Sequence, residues 1–245
     1  MTPPTTSRRR RGIARSVRLF RSFLVEQTDP AQFYGSLAQD SVELLSDHTT
    51  LAGAKMLDVG AGPEQFADVF REAGVQYVPV DRDTDAASIA RGGLAADAHR
   101  LPVATDSMDI TFSSNLIEHV EDPDVVAAEL LRVTKPGGLV FMSYTNWLSP
   151  WGGHETSPWH WLGGARAARR YERRHGHPPK NRIGENMFAV SVAWGMGWAS
   201  RQDGFTLLTA RPRYLPDWAR GLVRIPVLRE FLTWNLLVIA RKDPR

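Results

Sequence analysis

Two hydrophobic periods organise this chain. From Arg8 to Leu24 the apolar positions Ile13, Val17, Phe20 and Leu24 recur at helical spacing, with Arg11, Arg15, Arg18 and Arg21 on another face. After Asp29-Pro30 the same period predicts a second helix from about Ala31 to Asp47, with Phe33, Leu37, Val42, Leu44 and Leu45 apolar. Beyond it come short apolar runs that read as strands: Met56–Val59, Val75–Val80, Leu94–Ala96, Met108–Ser113, Leu139–Tyr144, Phe205–Ala210 and Trp234–Ala240. Helical stretches separate the first five. One opens at Pro63 and carries Phe66, Val69 and Phe70, and one covers about Thr84 to Arg91. A third starts at Asp122-Pro123 and stops at Lys135-Pro136-Gly137-Gly138. Strand and helix alternating over short connections predicts an α/β fold with a doubly wound, seven-stranded, mostly parallel sheet. Residues 1–50 read as a basic arm and helical cap, and 51–245 as the main domain. An insertion after the fifth strand covers about 145–204 and breaks the rhythm.

Sheets of this type bind ligands beyond the C-terminal ends of their strands. Asp58, Asp81, Asp97 and Asn115 all fall at such ends. The first strand runs into Gly60-Ala61-Gly62, a turn that lets a ligand approach the backbone closely. A dinucleotide fingerprint needs a third small residue, and Gln65 stands there instead. Asp81 has the right distance from the loop to take ribose hydroxyls. By itself the loop fits a nicotinamide or an adenosyl ligand.

Composition removes other readings. There is no cysteine, which excludes disulfides, thiolate metal sites and a cysteine nucleophile and fits a reducing cytoplasm. Seven arginines precede the first acid, Glu26; without them 23 basic residues face 27 acidic ones. The basic character belongs to the arm, and no nucleic-acid-binding surface is expected on the domain. The expected location is cytoplasmic, peripheral to the inner membrane face if residues 8–24 lie on anionic lipid. The competing reading has that helix packed on its own domain with its arginines in water.

Four stretches taken together resemble the class I S-adenosylmethionine-dependent methyltransferases, in particular the type 11 group. MLDVGAGPEQF is similar to the glycine motif, and YVPVDRD to the second strand with its ribose-binding acid. ADAHRLPVATDSMDITFSSNLIEHVEDP and LLRVTKPGGLVFMSY are similar to the segments around the fourth and fifth strands. The resemblance covers about Met56–Ser143 and the last strand, and implies a Rossmann-like fold with S-adenosyl-L-methionine as cofactor. It also implies that Asp58, Gly60, Ala61 and Gly62 hold the methionine end and that Asp81 takes the ribose. Arg82, Asp97 and Ala98 would surround the adenine, and Ser114 and Asn115 would lie near the sulfonium. Glu64 departs from the pattern, where a third glycine is usual.

The insertion holds six of the eight tryptophans and four of the seven histidines. It resembles actinobacterial members of the group through NWLSPWGGHE, LGGARAARRY and RHGHPPKN. O-methylation needs a base of near-neutral pKa, so His154, with His160 and Glu155 behind it, is the candidate catalytic set. No metal is assigned, because the spacing of these residues is not diagnostic. His119 reads as structural. The expected acceptor is a small molecule, a glycan or a lipid-linked compound. The competing functions are a nicotinamide-dependent oxidoreductase and a non-catalytic, membrane-associated cofactor binder.

Overall fold

The computed structural model describes residues 6–25, 28–201 and 203–244, with side chains from Gly12 onward in the first helix. The Pro/Thr-rich start therefore lies mostly outside the described residues. Seven strands, β1 (Lys55–Val59), β2 (Gln76–Asp81), β3 (Leu94–Ala95), β4 (Met108–Ser114), β5 (Thr134–Thr145), β6 (Phe205–Pro212) and β7 (Asn235–Lys242), form one sheet. Their order is β3-β2-β1-β4-β5-β7-β6. Pairings from β3 through β5 are parallel, and β7 runs antiparallel to both neighbours. The order reverses between β1 and β4, where sheets of this class leave a crevice for a ligand.

Among the described residues eight α-helices accompany the strands: α1 (Thr6–Leu24), α2 (Pro30–Ser46), α3 (Ala67–Glu72), α4 (Ala86–Ala90), α5 (Pro123–Val133), α6 (Gly164–His175), α7 (Val192–Arg201) and α8 (Leu228–Leu232). The Asp-Pro pairs start helices as expected. Asp29 accepts the Gln32 N–H and Asp122 the Val125 N–H, each ahead of a proline that needs no N–H partner. Two expectations shift. The helix after the glycine loop begins at Ala67, because residues 62–66 are turns. The Lys-Pro-Gly-Gly turn lies inside β5, absorbed by a register shift between Met108 and Ile110. Gly138 is required there, since a Cβ would sit 2.8 Å from the Asp109 carbonyl oxygen.

Each sheet face has its own core. On one, Val126 and Leu130 of α5 and Val192 and Trp198 of α7 pack on Val140, Met142 and Val238. On the other, Leu19, Phe33, Leu37 and Leu45 of α1 and α2 pack with Met56, Phe112, Phe141 and Ile239. The N-terminal helices are thus one of the layers that cover the sheet. Likewise α7, inside the stretch read as an insertion, is a sheet-packing helix, which leaves residues 146–191 as the excursion proper.

The first helix packs on its own domain, but through a side other than its apolar stripe. Its buried side is Gly12, Ser16, Leu19 and Ser22, while Ile13, Val17, Phe20 and Leu24 are 37–61 % exposed. Small residues let the helix approach closely: Gly12 lies against Asp217, and the Ser16 and Ser22 hydroxyls donate to carbonyls of their own helix. An ion pair fixes the rotation. Arg15 makes a two-pronged contact with Asp40 of α2, whose carboxylate is fully buried. Arg213, also fully buried, lies 3.8 Å from the same carboxylate. Its guanidinium donates to Ser114 and Ser143 of the sheet and to Ser41 and the Leu37 carbonyl of α2. Removing one partner of such a group strands the remaining charges in a low-dielectric interior. Asp40→Ala should cost about 3–5 kcal/mol in urea denaturation, with the loss shared by probes in α2 and in the sheet.

Candidate active site

The glycine loop closes over the end of β2. Gly60 and Ala61 donate their N–H groups to the Val80 carbonyl, and Gly62 donates to Asp81 at 2.8 Å. Gly60 has φ +81°, and a Cβ there would press within 2.9 Å of Leu116. Gly62, at φ +51°, has no atom within 4 Å of where a Cβ would be, so the turn is open on that side. Glu64 also has a positive φ, +55°. The third-glycine position thus keeps a glycine-like backbone while carrying a side chain. Its carboxylate pairs with Arg71 of α3 and Arg91 beyond α4.

Asp58 is buried and accepts a hydrogen bond from the Tyr77 hydroxyl on the neighbouring strand. Burial pushes its carboxyl up to about 7 against that hydrogen bond, with Asp81 and Glu64 adding to the rise. Asp81 also accepts the Asp83 N–H, so its carboxylate spans the loop and the end of β2. Asp97 follows β3 and behaves in the opposite way. Its backbone bond from His99, then the His99 ring and Arg82, hold it down at about 2. Arg82 and Asp97 are joined at 2.8 Å on the rim, and Ala98 is half-buried beside them. A buried carboxyl that holds its proton behind the loop and an ionised one on the rim thus differ in character.

Across the crevice the picture divides. Asn115 sits in the left-handed region at φ +59°, its N–H on the Ser143 carbonyl and its side-chain oxygen accepting from Asn235. Ser114 is taken up by Arg213 and Ser143 and belongs to the buried polar group behind the strands. Of the histidines, His160 is buried with its ring between the Trp147 carbonyl and Ser157, and Glu155 accepts from Asn181 through both oxygens. Both hold the excursion together.

His154 differs. It has φ +49°, and its Nδ1 is buried without a hydrogen-bond partner. Burial lowers its pKa, opposed by the Glu118 charge, so the ring is neutral at pH 7. The His119 ring packs edge-on against it at 5.2 Å, and one donor atom each from Glu118, His119 and His154 lie within 4.8 Å of one another. His119 is fixed by a 2.8 Å contact between Nδ1 and the Asn186 carbonyl, and Glu118 by the Thr145 N–H. The Glu-His pair directly after β4 was the available signal for this cluster. Read as a structural turn, it hid the neighbour of His154.

The family model described as "Methyltransferase domain" matches residues 57–142, the stretch from β1 to β5. A Mycobacterium marinum protein named "uncharacterized methyltransferase" is 49 % identical, the match covering 94 % of this chain and 95 % of that one. A Mycobacterium tuberculosis relative of the same name is 48 % identical, over 94 % of this chain and 96 % of its own. The chain belongs to this methyltransferase family. The fold agrees with that of an S-adenosylmethionine-dependent methyltransferase from Mesorhizobium loti (TM-score 0.53, 20 % identity, covering 82 % of this chain and 96 % of that one). Membership of a methyltransferase family removes the nicotinamide reading, and the fold is one that S-adenosylmethionine-dependent methyltransferases also adopt.

Asp58 generates a test in the absence of cofactor. Between pH about 4 and 7 the folded protein keeps a proton on Asp58 that the unfolded chain, with the ordinary pKa of 3.8, has released. Stability of the free protein should fall as pH rises through that window, by at most about 4 kcal/mol, and level off above it. Asp58→Asn should flatten the slope, measured by urea denaturation at pH 5 and pH 8.

Proposed function

We propose that this enzyme methylates a hydroxyl group of a lipid-linked, glycan or other small amphipathic acceptor, with His154 taking the proton. The observation that carries the reading is the buried, unpartnered Nδ1 of His154 beside His119 and Glu118, just past the end of β4. A neutral imidazole in a desolvated position, with a carboxylate near enough to favour the charge it will gain, is the arrangement a general base needs. The open turn at Gly62 and the carboxylates of Asp81 and Asp97 fit an adenosyl ligand. Gly60, Ala61 and Gly62, with Asp58 behind them, would hold the methionine end. Asp81 would take the ribose hydroxyls, Asp97 and the Ala98 N–H the adenine edge, and Arg82 its rim. Asn115 would border the sulfonium. When bound, S-adenosylmethionine supplies a methyl carbon made electrophilic by positive sulfur. The protein's part is to align the acceptor oxygen with that carbon, exclude water and receive the hydroxyl proton.

Calorimetry should show S-adenosylmethionine binding and no NAD(P) binding. With labelled cofactor and total lipid and water-soluble extracts of a mycobacterium as acceptors, label should appear as O-methyl groups by NMR. His154→Ala should lower the rate about 100-fold or more while leaving cofactor affinity within about twofold. The acidic limb of the wild-type pH–rate profile should lie below the ordinary histidine range and vanish in the variant. An unchanged rate and limb in His154→Ala would remove the base assignment; label on nitrogen or carbon would remove the hydroxyl acceptor.

A further inference from the structure

The outward stripe of α1 does not stand alone. Gly12 rests on Asp217, the first residue of the 3-10 segment Asp217–Arg224, which brings Trp218 (68 % exposed) alongside the helix. Phe20 meets the Trp234 ring at 5.7 Å, Trp234 meets Trp151 at 6.1 Å, and Trp161 meets Phe231 of α8 at 6.4 Å. Between Trp218 and Phe231, Ile225, Val227 and Leu228 are all about half or more exposed. Val227 is held at φ +66°, a position a β-branched residue rarely takes, at the tip of this apolar projection. One face thus shows tryptophans and aliphatic side chains drawn from four separate segments. An apolar surface assembled in this way marks a contact with something else.

Charge identifies that something. Among the described residues α1 has no acid, Asp217 is engaged by Arg211 and Arg220, and Glu230 accepts the Val192 and Ala193 N–H groups. Arg21 and Arg224 flank the face without ion pairs among the described residues. Past Trp159 and Leu162, Arg166, Arg169, Arg170 and Arg173 of α6 line an open groove of about 390 Å³, with Arg170 stacked 3.9 Å over the Trp159 ring. A second groove, about 560 Å³, runs along α1 between Ile13, Val17, Arg18, Arg21, Gln32 and Ser36, its Arg18 paired with Glu43 of α2. A second copy docking through this face would set arginines against arginines. Aromatic and aliphatic side chains rimmed by an excess of arginines match the interface of an anionic bilayer, with apolar groups in the acyl boundary and guanidinium groups at the phosphates.

We infer that this face, built from α1, the Asp217–Leu232 segment and the tryptophans of the excursion, seats the enzyme on an anionic membrane surface. Trp151 lies three residues before His154, so the seated face borders the candidate base. A lipid-linked acceptor would then enter from the bilayer. That last consequence rests on the proposed methylation; the docking itself does not.

The test uses the full chain with sedimented vesicles of phosphatidylglycerol and cardiolipin, against vesicles of phosphatidylcholine alone. Wild type should pellet with the anionic vesicles and much less with the neutral ones, and 0.5 M salt should release it. Val17→Glu and Trp218→Ala should each weaken binding by about tenfold while keeping the wild-type unfolding midpoint and the calorimetric affinity for S-adenosylmethionine. Wild type remaining in the supernatant, or both variants pelleting like wild type, would overturn the proposal. So would a lipid-free dimer that Val17→Glu makes monomeric. Intact cofactor binding with no vesicle binding would sink the docking and leave the methyltransferase reading standing, and the reverse pattern would do the opposite.

Discussion

A single buried carboxylate holds the N-terminal layer to the sheet. Asp40 is reached from α1 by Arg15 and lies next to Arg213, whose other donors end on Ser41 of α2 and on Ser114 and Ser143 of β4 and β5. Helix propensity and apolar burial place α1 and α2 near the sheet, but neither sets their rotation. Charges this far from water tolerate little displacement, because each lost contact leaves an unsatisfied ion. The group therefore fixes which side of α1 faces inward and, through Ser114, the back of the β4 end. The exposed apolar stripe of α1 follows from this constraint.

The glycine loop and the acids at the strand ends were legible in the chain because local rules wrote them. Asp58, Asp81 and Asp97 follow apolar runs that can only be strands, and Gly60 and Gly62 occupy backbone conformations that favour glycine. Order and spacing brought them together without any knowledge of long-range contacts. The histidine cluster depended on packing across large sequence distances. His119 and His154 are joined by a fold-back of the excursion, and nothing in either local pattern announces the other. His160 and Glu155 stood behind His154 as candidates in sequence, and their hydrogen bonds to Trp147, Ser157 and Asn181 give both a structural part.

The first helix shows where hydrophobic periodicity misleads. Ile13, Val17, Phe20 and Leu24 make the stronger apolar stripe, yet the buried side is Gly12, Ser16, Leu19 and Ser22. Periodicity measures which side is oily, whereas close packing against another helix rewards small residues and a correctly placed ion pair. When the oilier side is left outward, the mismatch carries information about the surroundings of the protein. No helix among the described residues is long and apolar enough to cross a membrane.

Glu64 bears on how this loop can evolve. A non-glycine residue at φ +55° carries a backbone cost of about 1 kcal/mol, and here its carboxylate is held by Arg71 and Arg91 on either side. Glycine would relieve the strain but leave two arginines without their shared partner, and any other residue would keep the strain and lose the pairing. Change at these three positions is therefore expected to be concerted among descendants of this chain. A lineage that returns to glycine at 64 should relax its demand for arginine at 71 and 91, and the turn would then be held by backbone freedom where it is now held by charge.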